Sequence, residues 1–339
     1  MKTGLAVTLV VVLVLLLVVA TAAPYRSESV FFAHNGVTLA GDVWLPESRD
    51  QAVPVVVIVH GDGAVVRASA GYYQPYIDAL LAAGIGVLSW DKPGVGESEG
   101  DWLSQTMADR SGEVAAAVNY LRSRSDINDE AIGLMGFSQA GWVMPQALAQ
   151  DPKLAFGVFI STAIDWREQG QYLTRQRLLS LGLNHQQLKR GLEYNQALDA
   201  QLAQGMSYAD YQTYRQQHEP EFFHGSEMSP ARFDFVVANI GADAREFLPH
   251  ISQPVFALFG DSDRNVDVQQ SISVYQTHIQ SDFSHQVYKD VDHALFKNRF
   301  FADQPKDSVW FWLKMNVLGA EGLAPGVGED IASWIKQQL

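Results

Sequence analysis

The segment Gly136-Phe137-Ser138-Gln139-Ala140-Gly141 sets a serine among small residues. An apolar run, Ala131-Ile132-Gly133-Leu134-Met135, leads into it, and a helical pattern follows. A serine on a sharp strand-to-helix turn stands on strained backbone with its hydroxyl exposed, as a nucleophile requires. Crowding at such a turn demands small neighbours on both sides. Gly136 and Ala140 fill those places, Ala140 where glycine is usual, and Gly141 follows. A hydroxyl remains a poor nucleophile until a base takes its proton. Histidine suits that task, provided a carboxylate fixes its tautomer and stabilises the imidazolium.

The C-terminal third supplies both partners. The apolar run Phe256–Phe259 ends at Gly260 and enters the acidic turn Asp261-Ser262-Asp263-Arg264-Asn265-Val266-Asp267. Each of its three carboxylates could instead cap a backbone N–H, and Asp267 suits the N-cap of the next helix. Val291-Asp292-His293-Ala294-Leu295-Phe296 carries a histidine just past the last apolar run. Of the other eight histidines, His60 ends a strand and is expected to brace its loop. His285 falls within a strand, His34 in a hairpin turn and His278 at a helix end. His185, His218, His224 and His250 fall in or beside a segment of different character. No histidine pair shows a metal-binding spacing, so no metal is expected.

These residues need a scaffold that gathers them at one edge. Two apolar runs flank His34-Asn35-Gly36, and Asn-Gly between such runs marks a hairpin. Val55–Val59 is a β-branched run of the kind buried on both faces of a sheet. Further strands are expected at 85–90, 132–137, 156–160, 255–259 and 285–288. Helices are expected at 72–83, 106–124, 140–149, 268–279, 307–317 and 328–338. In the helix at 106–124, Ala115, Val118, Tyr120 and Leu121 are the expected inward positions. Alternating strands and helices imply right-handed crossovers and a mostly parallel sheet, an α/β fold. Residues 165–249 break the rhythm: helical spacing persists without a strand pattern. An excursion of that length is not a loop. It reads as a helical cap over the carboxyl edge of the sheet, where ligands of such sheets bind. The core then comprises 25–164 and 250–339.

With serine, acid and histidine in that order, the chain resembles the α/β-hydrolase superfamily, in particular capped esterases and acylaminoacyl-peptidase-like hydrolases. The resemblance covers roughly 29–318 apart from the cap. It implies an α/β-hydrolase fold and places the acid three residues after the strand-ending Gly260, at Asp263. It places the base at His293. In Val59-His60-Gly61-Asp62-Gly63 it puts one oxyanion-hole donor on the backbone N–H of Asp62, and the other on that of Gln139, just after the nucleophile. Asp91-Lys92-Pro93-Gly94-Val95-Gly96-Glu97-Ser98-Glu99-Gly100 resembles the family's D-x-R-G-x-G-x-S-x-G turn, with Lys92 and Pro93 as departures. It reads as architecture; the dinucleotide and Walker patterns that would make it a phosphate loop are absent. Trp102, Trp142 and Trp166 are placed either to line an acyl pocket or to pack the core and cap.

Composition narrows the class. The chain of 339 residues has a net charge of −14, no block of like charges and 47% hydrophobic content. An acidic chain without a basic stripe is a poor partner for nucleic acid. There is no cysteine, which excludes disulfides and a cysteine nucleophile. Residues 1–23, with a basic start, an apolar run from Leu5 to Ala20 and small residues at the end, read as a signal peptide or an uncleaved anchor. The expectation is an exported protein, periplasmic or secreted, touching a membrane only through that segment. Its partner is a small-molecule acyl substrate, it needs no cofactor, and its oligomeric state is not encoded in any pattern. The functional expectation is a serine hydrolase acting on carboxylic esters through an acyl-enzyme. A peptidase, thioesterase or acyltransferase with the same three residues is the alternative. A non-catalytic binding protein of the same fold is the reading from another class.

Overall fold

The computed structural model describes residues 25–47, 51–223, 225, 227–302 and 308–339. The whole of segment 1–23, read above as signal or anchor, is therefore outside the described residues, as are residues 24, 48–50, 224, 226 and 303–307. Among the described residues, eight strands form one sheet in the order β1-β2-β4-β3-β5-β6-β7-β8. Strands β1 (Tyr25–His34) and β2 (Val37–Pro46) form an antiparallel hairpin at one edge. Its turn residues Asn35 and Gly36 have φ of 49° and 78°, the left-handed pair that suits the twist of a hairpin. Strand β2 pairs antiparallel with β4 (Gly86–Trp90). The remaining pairings, among β3 (Val53–Val59), β4, β5 (Ile127–Phe137), β6 (Gly157–Ile160), β7 (Val255–Gly260) and β8 (Phe283–Tyr288), are all parallel.

Helices cover both faces, as buried parallel strands require. Helices α1 (Gln74–Ala82), α2 (Met107–Arg122) and α3 (Met144–Gln150) follow β3, β4 and β5. One apolar core unites α2 and α3 with one face of the sheet; a second packs α1 and the C-terminal helices against the other. Thr106 caps α2 reciprocally with Asp109. Of the inward positions expected on α2, Val118 and Leu121 are buried, Tyr120 is half-buried and Ala115 is exposed. The buried stripe runs through Met107, Arg110, Val114, Ala117 and Leu121. A charged member on that stripe, and three consecutive alanines beside it, left the apolar pattern without a clear phase.

Between β6 and β7 the described residues form four α-helices: α4 (Trp166–Ser180), α5 (His185–Ala203), α6 (Tyr208–His218) and α7 (Pro230–Asn239). They enclose small aromatic cores of their own, one around Leu178, Tyr194, Phe222 and Phe223. Trp166, at the start of α4, stacks on Trp142 of the elbow segment at 4.6 Å between centroids. The core resumes with β7, α8 (Val268–His278), β8, α9 (Asn298–Phe301), α10 (Val309–Leu318) and α11 (Val327–Gln338).

Asp199 on α5 gives this helical layer a pH dependence. Burial raises its pKa from 3.8 to about 6, although Gln171 donates to its carboxylate at 3.0 Å. A carboxyl with a raised pKa in the fold favours the native state below pH 3.8 and loses that contribution as pH rises through about 6. Asp199→Asn is therefore expected to raise the melting temperature at pH 8 by roughly 1–3 °C. The gain should vanish near pH 4, and thermal melts of both proteins across that range provide the check.

Candidate active site

Strand β5 delivers Ser138 to the carboxyl edge of the sheet. Its φ is +51°, a left-handed conformation that non-glycine residues seldom hold. The local sequence makes it possible by omitting Cβ atoms. A Cβ at Gly136 would lie 2.5 Å from the Ala140 Cβ and 2.2 Å from the Met144 sulfur. One at Gly141 would lie 2.1 Å from the Ala163 carbonyl oxygen, beyond β6. Ala163 N–H in turn donates to the Ser138 carbonyl at 3.2 Å. The turn is thus wedged between β6 and its own helix, and Ala140 fits it because only positions 136 and 141 must be bare.

The neighbouring strands bring the partners. Ser138 Oγ lies 3.0 Å from His293 Nε2, and His293 Nδ1 lies 2.7 Å from Asp263 Oδ2. An ionised carboxylate can only accept, so Nδ1 carries the proton and Nε2 is left to accept from the serine. The second oxygen of Asp263 accepts from the N–H groups of Asn265 at 2.7 Å and Val266 at 2.9 Å. Tyr172 of α4 donates to the Asp263 carbonyl at 2.9 Å. The Asp263 side chain is fully buried and that of His293 is 15% exposed. Asp261 points outward, and Asp267 caps α8 through the Gln270 N–H.

Gly260 explains why Asp263 and His293 meet. A Cβ there would strike the carbonyl oxygens of Val291 and Asp292 at 2.3 and 2.5 Å. The histidine turn therefore crosses directly over the strand end that leads to Asp263. Asp292 shapes that turn by accepting from the N–H groups of Ala294 and Phe296, each at 2.9 Å.

On the other side of the elbow, β3 ends in the His60–Gly63 loop. A Cβ on Gly61 would sit 3.3 Å from the Phe137 carbonyl and 3.5 Å from the Ser138 Cβ, so loop and elbow touch. Asp62 and Gln139, the two residues whose N–H groups the resemblance nominates, are also joined by their side chains: Gln139 Nε2 donates to Asp62 Oδ1 at 3.1 Å. Arg232 of α7 grips the Asp62 carboxylate with two bonds of 2.9 and 2.7 Å. Burial opposes ionisation of Asp62, but the Arg232 guanidinium outweighs it and holds the carboxyl below its usual range. Arg110 of α2 donates to the Gln139 side-chain oxygen and, at 2.6 Å, to the His60 carbonyl. His60 is kept neutral by burial, with its pKa lowered to about 3, and is held between the Trp90 carbonyl and the Tyr73 hydroxyl.

A cleft of ≈ 400 Å³ opens beside Ser138 and His293. Its wall is aromatic, with Tyr72, Tyr73, Phe137, Phe296, Phe311 and Trp312. None of the three tryptophans that the sequence offered for a pocket lines it. Trp142 and Trp166 stack on each other, and Trp102 packs edge-on to Phe235. The turn from Asp91 is structural: its carboxylate accepts from Arg67 and from the Glu97 N–H, and a Cβ on Gly96 would collide with it at 2.3 Å. Sequence reasoning passed over Arg110, Arg232 and Tyr172. Only Arg110 left a signal, as the charge on the apolar stripe of α2.

An eight-stranded, mostly parallel sheet with these residues at its carboxyl edge defines an α/β-hydrolase. The model of the family described as serine aminopeptidase, S33, matches residues 50–299, and the chain belongs to that family. An uncharacterized protein of Pseudomonas aeruginosa, PA2218, is 31% identical over 147 residues, which are 42% of this chain and 38% of that protein. The chain thus aligns with well under half the length of that curated relative. The Pyrococcus furiosus esterase Pf2001 superposes with a TM-score of 0.57 at 17% identity, over 92% of this chain and 91% of that one. Est1E from Butyrivibrio proteoclasticus, bound to ferulic acid, superposes with a TM-score of 0.56 at 14% identity, over 91% and 98%. At such identities the shared property is the fold. The chain is thus a member of the α/β-hydrolase superfamily.

The elbow makes a direct prediction. Gly141→Ala should destabilise the protein by about 1–3 kcal/mol, the scale of a forced overpacking. Denaturant unfolding monitored by tryptophan fluorescence measures it.

Proposed function

We propose that the protein is a carboxylesterase that works through an acyl-enzyme on Ser138. The observation that carries this reading is the unbroken line from Ser138 Oγ through His293 to the buried Asp263 carboxylate. His293 takes the serine proton as Oγ attacks the carbonyl carbon, then returns it to the leaving alcohol. Asp263 holds the imidazole tautomer and stabilises the imidazolium without taking the proton. The N–H groups of Asp62 and Gln139 hold the oxyanion, and water releases the acyl group by the same steps in reverse.

The preference for a neutral ester over a peptide N-terminus rests on the lining of the cleft. An aminopeptidase must meet the substrate ammonium with a carboxylate or carbonyl cluster. Among the described lining residues, Asp62 alone carries a carboxylate, and Arg232 already occupies it. The hydroxyls of Tyr72 and Tyr73 are likewise engaged, by the Ala294 carbonyl at 2.7 Å and by His60 at 3.2 Å. What is left is an uncharged aromatic wall, which favours a flat or apolar group on the ester. The aromatic acid bound by Est1E fits such a wall.

Ser138→Ala should lower turnover of nitrophenyl esters by about 10³-fold or more and abolish labelling by a fluorophosphonate. Unchanged turnover would refute the assignment. Rates on an aryl ester, an aminoacyl amide and a thioester, measured side by side, separate esterase from peptidase and thioesterase. Trp312→Ala should raise KM for aryl esters by roughly 5- to 10-fold while leaving acetyl esters nearly unchanged, because one apolar contact face is worth about 1–2 kcal/mol. Equal effects on both substrates would place the acyl or alcohol group elsewhere.

A further inference from the structure

Lys92 has no role in the reading above, yet it is buried to 1% exposure in the middle of the site's support. Burying an amino group of this kind is costly unless its donors are used. Its Nζ donates to the Gly61 carbonyl at 2.6 Å and to the Gly63 carbonyl at 2.9 Å, and it lies 5.2 Å from the Trp102 ring centroid. Its partners are thus two backbone oxygens of one short loop, and that loop touches the elbow.

The Gly61 carbonyl and the Asp62 N–H belong to the same peptide unit. In a trans peptide the two point in opposite directions, and no cis peptide occurs among the described residues. Pinning the Gly61 oxygen to Lys92, on the buried side, therefore turns the Asp62 N–H away from Lys92. The opposite side of this unit is the cleft, whose lining includes Gly61, Asp62 and Ser138. The Asp62 N–H has no acceptor among the described residues, as an oxyanion donor awaiting its oxyanion should not. Arg110 holds the preceding carbonyl, that of His60, in the same way. The loop's position 63 needs a left-handed φ of +96°, so without anchors it has little to hold it in this shape.

We propose that Lys92 is a positioning residue for the oxyanion hole: it fixes the peptide unit whose N–H, that of Asp62, receives the developing negative charge. The proposal rests on the esterase reading and sharpens it. Removing Lys92 would leave Ser138, His293 and Asp263 in place while loosening one donor. The loss would then appear in the chemical step and not in substrate binding.

The test compares wild type with Lys92→Met and with Lys92→Gln, whose neutral amide keeps a donor near the loop. Each full-length protein is assayed on an ester and on its thionoester, in which sulfur replaces the carbonyl oxygen. An aligned oxyanion hole discriminates strongly between the two, because the larger, weakly accepting sulfur does not fit its donors. Lys92→Met is expected to lower kcat for the ester by about 10- to 100-fold, with KM within about 3-fold. Its ester-to-thionoester rate ratio should shrink by a similar factor. Lys92→Gln should fall between, and it serves alone if the methionine variant does not fold. A folded variant with wild-type kcat would overturn the proposal. So would a lowered kcat with an unchanged ratio, which would make Lys92 a merely structural support. Fluorophosphonate labelling of the wild-type protein, run in parallel, tests Ser138 itself, so failure of the esterase reading is seen separately.

Discussion

Everything at this site depends on the backbone of Ser138 being held at a φ of +51°. Such a conformation costs on the order of 1–3 kcal/mol and persists only where its surroundings over-determine it. Here the restraint is close packing without side chains. Gly136 lets β5 lie against the following helical turn, and Gly141 lets that turn lie against the backbone beyond β6. The strain aims the hydroxyl out of the sheet edge, where the two adjoining loops can reach it. A relaxed turn would fold the serine back toward its own helix and separate it from His293.

Sheet order does the rest. Strands β3, β5, β6, β7 and β8 are consecutive neighbours, so their carboxyl ends present the His60–Gly63 loop, the elbow, the acid turn and the histidine turn side by side. The site is assembled by strand adjacency across more than 200 residues of sequence. Around it lies a second layer of basic side chains. Lys92 and Arg110 hold loop carbonyls from the core, and Arg232 reaches from the helical layer to the Asp62 carboxylate. The helical excursion between β6 and β7 thereby touches the candidate site through a charge and through Tyr172, while the aromatic cleft wall comes from the core and from α10.

Much of this was legible in the residues. Parallel strands are nearly continuous apolar runs, so the sheet announced itself, and the Asn-Gly turn marked its antiparallel edge. Ser138 and His293 stood out because both sit in short turns just past such runs. Asp263 was harder, since Asp261 and Asp267 share its turn. What separates them is which carboxylate lies under the histidine turn, a distance between segments that spacing cannot express. The inward face of α2 was misphased because Arg110 and Glu113 are buried there. A hydrophobic pattern sends such residues to solvent, although they are held by partners from the His60–Gly63 loop, β4, Gln105 and the elbow. The aromatic cleft was invisible for a similar reason. Tyr72, Phe296 and Trp312 are far apart in the chain, and aromatic residues look the same whether they line a cleft or fill a core.

The central claim is that a strained Ser138 faces two backbone donors fixed in advance, the N–H groups of Asp62 and Gln139. The most direct test is a crystal structure of the protein after reaction with an aryl phosphonate. The account predicts phosphorus bonded to Ser138 Oγ, with its non-bridging oxygen about 3 Å from both the Asp62 and the Gln139 nitrogens. An adduct on another residue, or a phosphoryl oxygen turned to solvent away from both nitrogens, would contradict it.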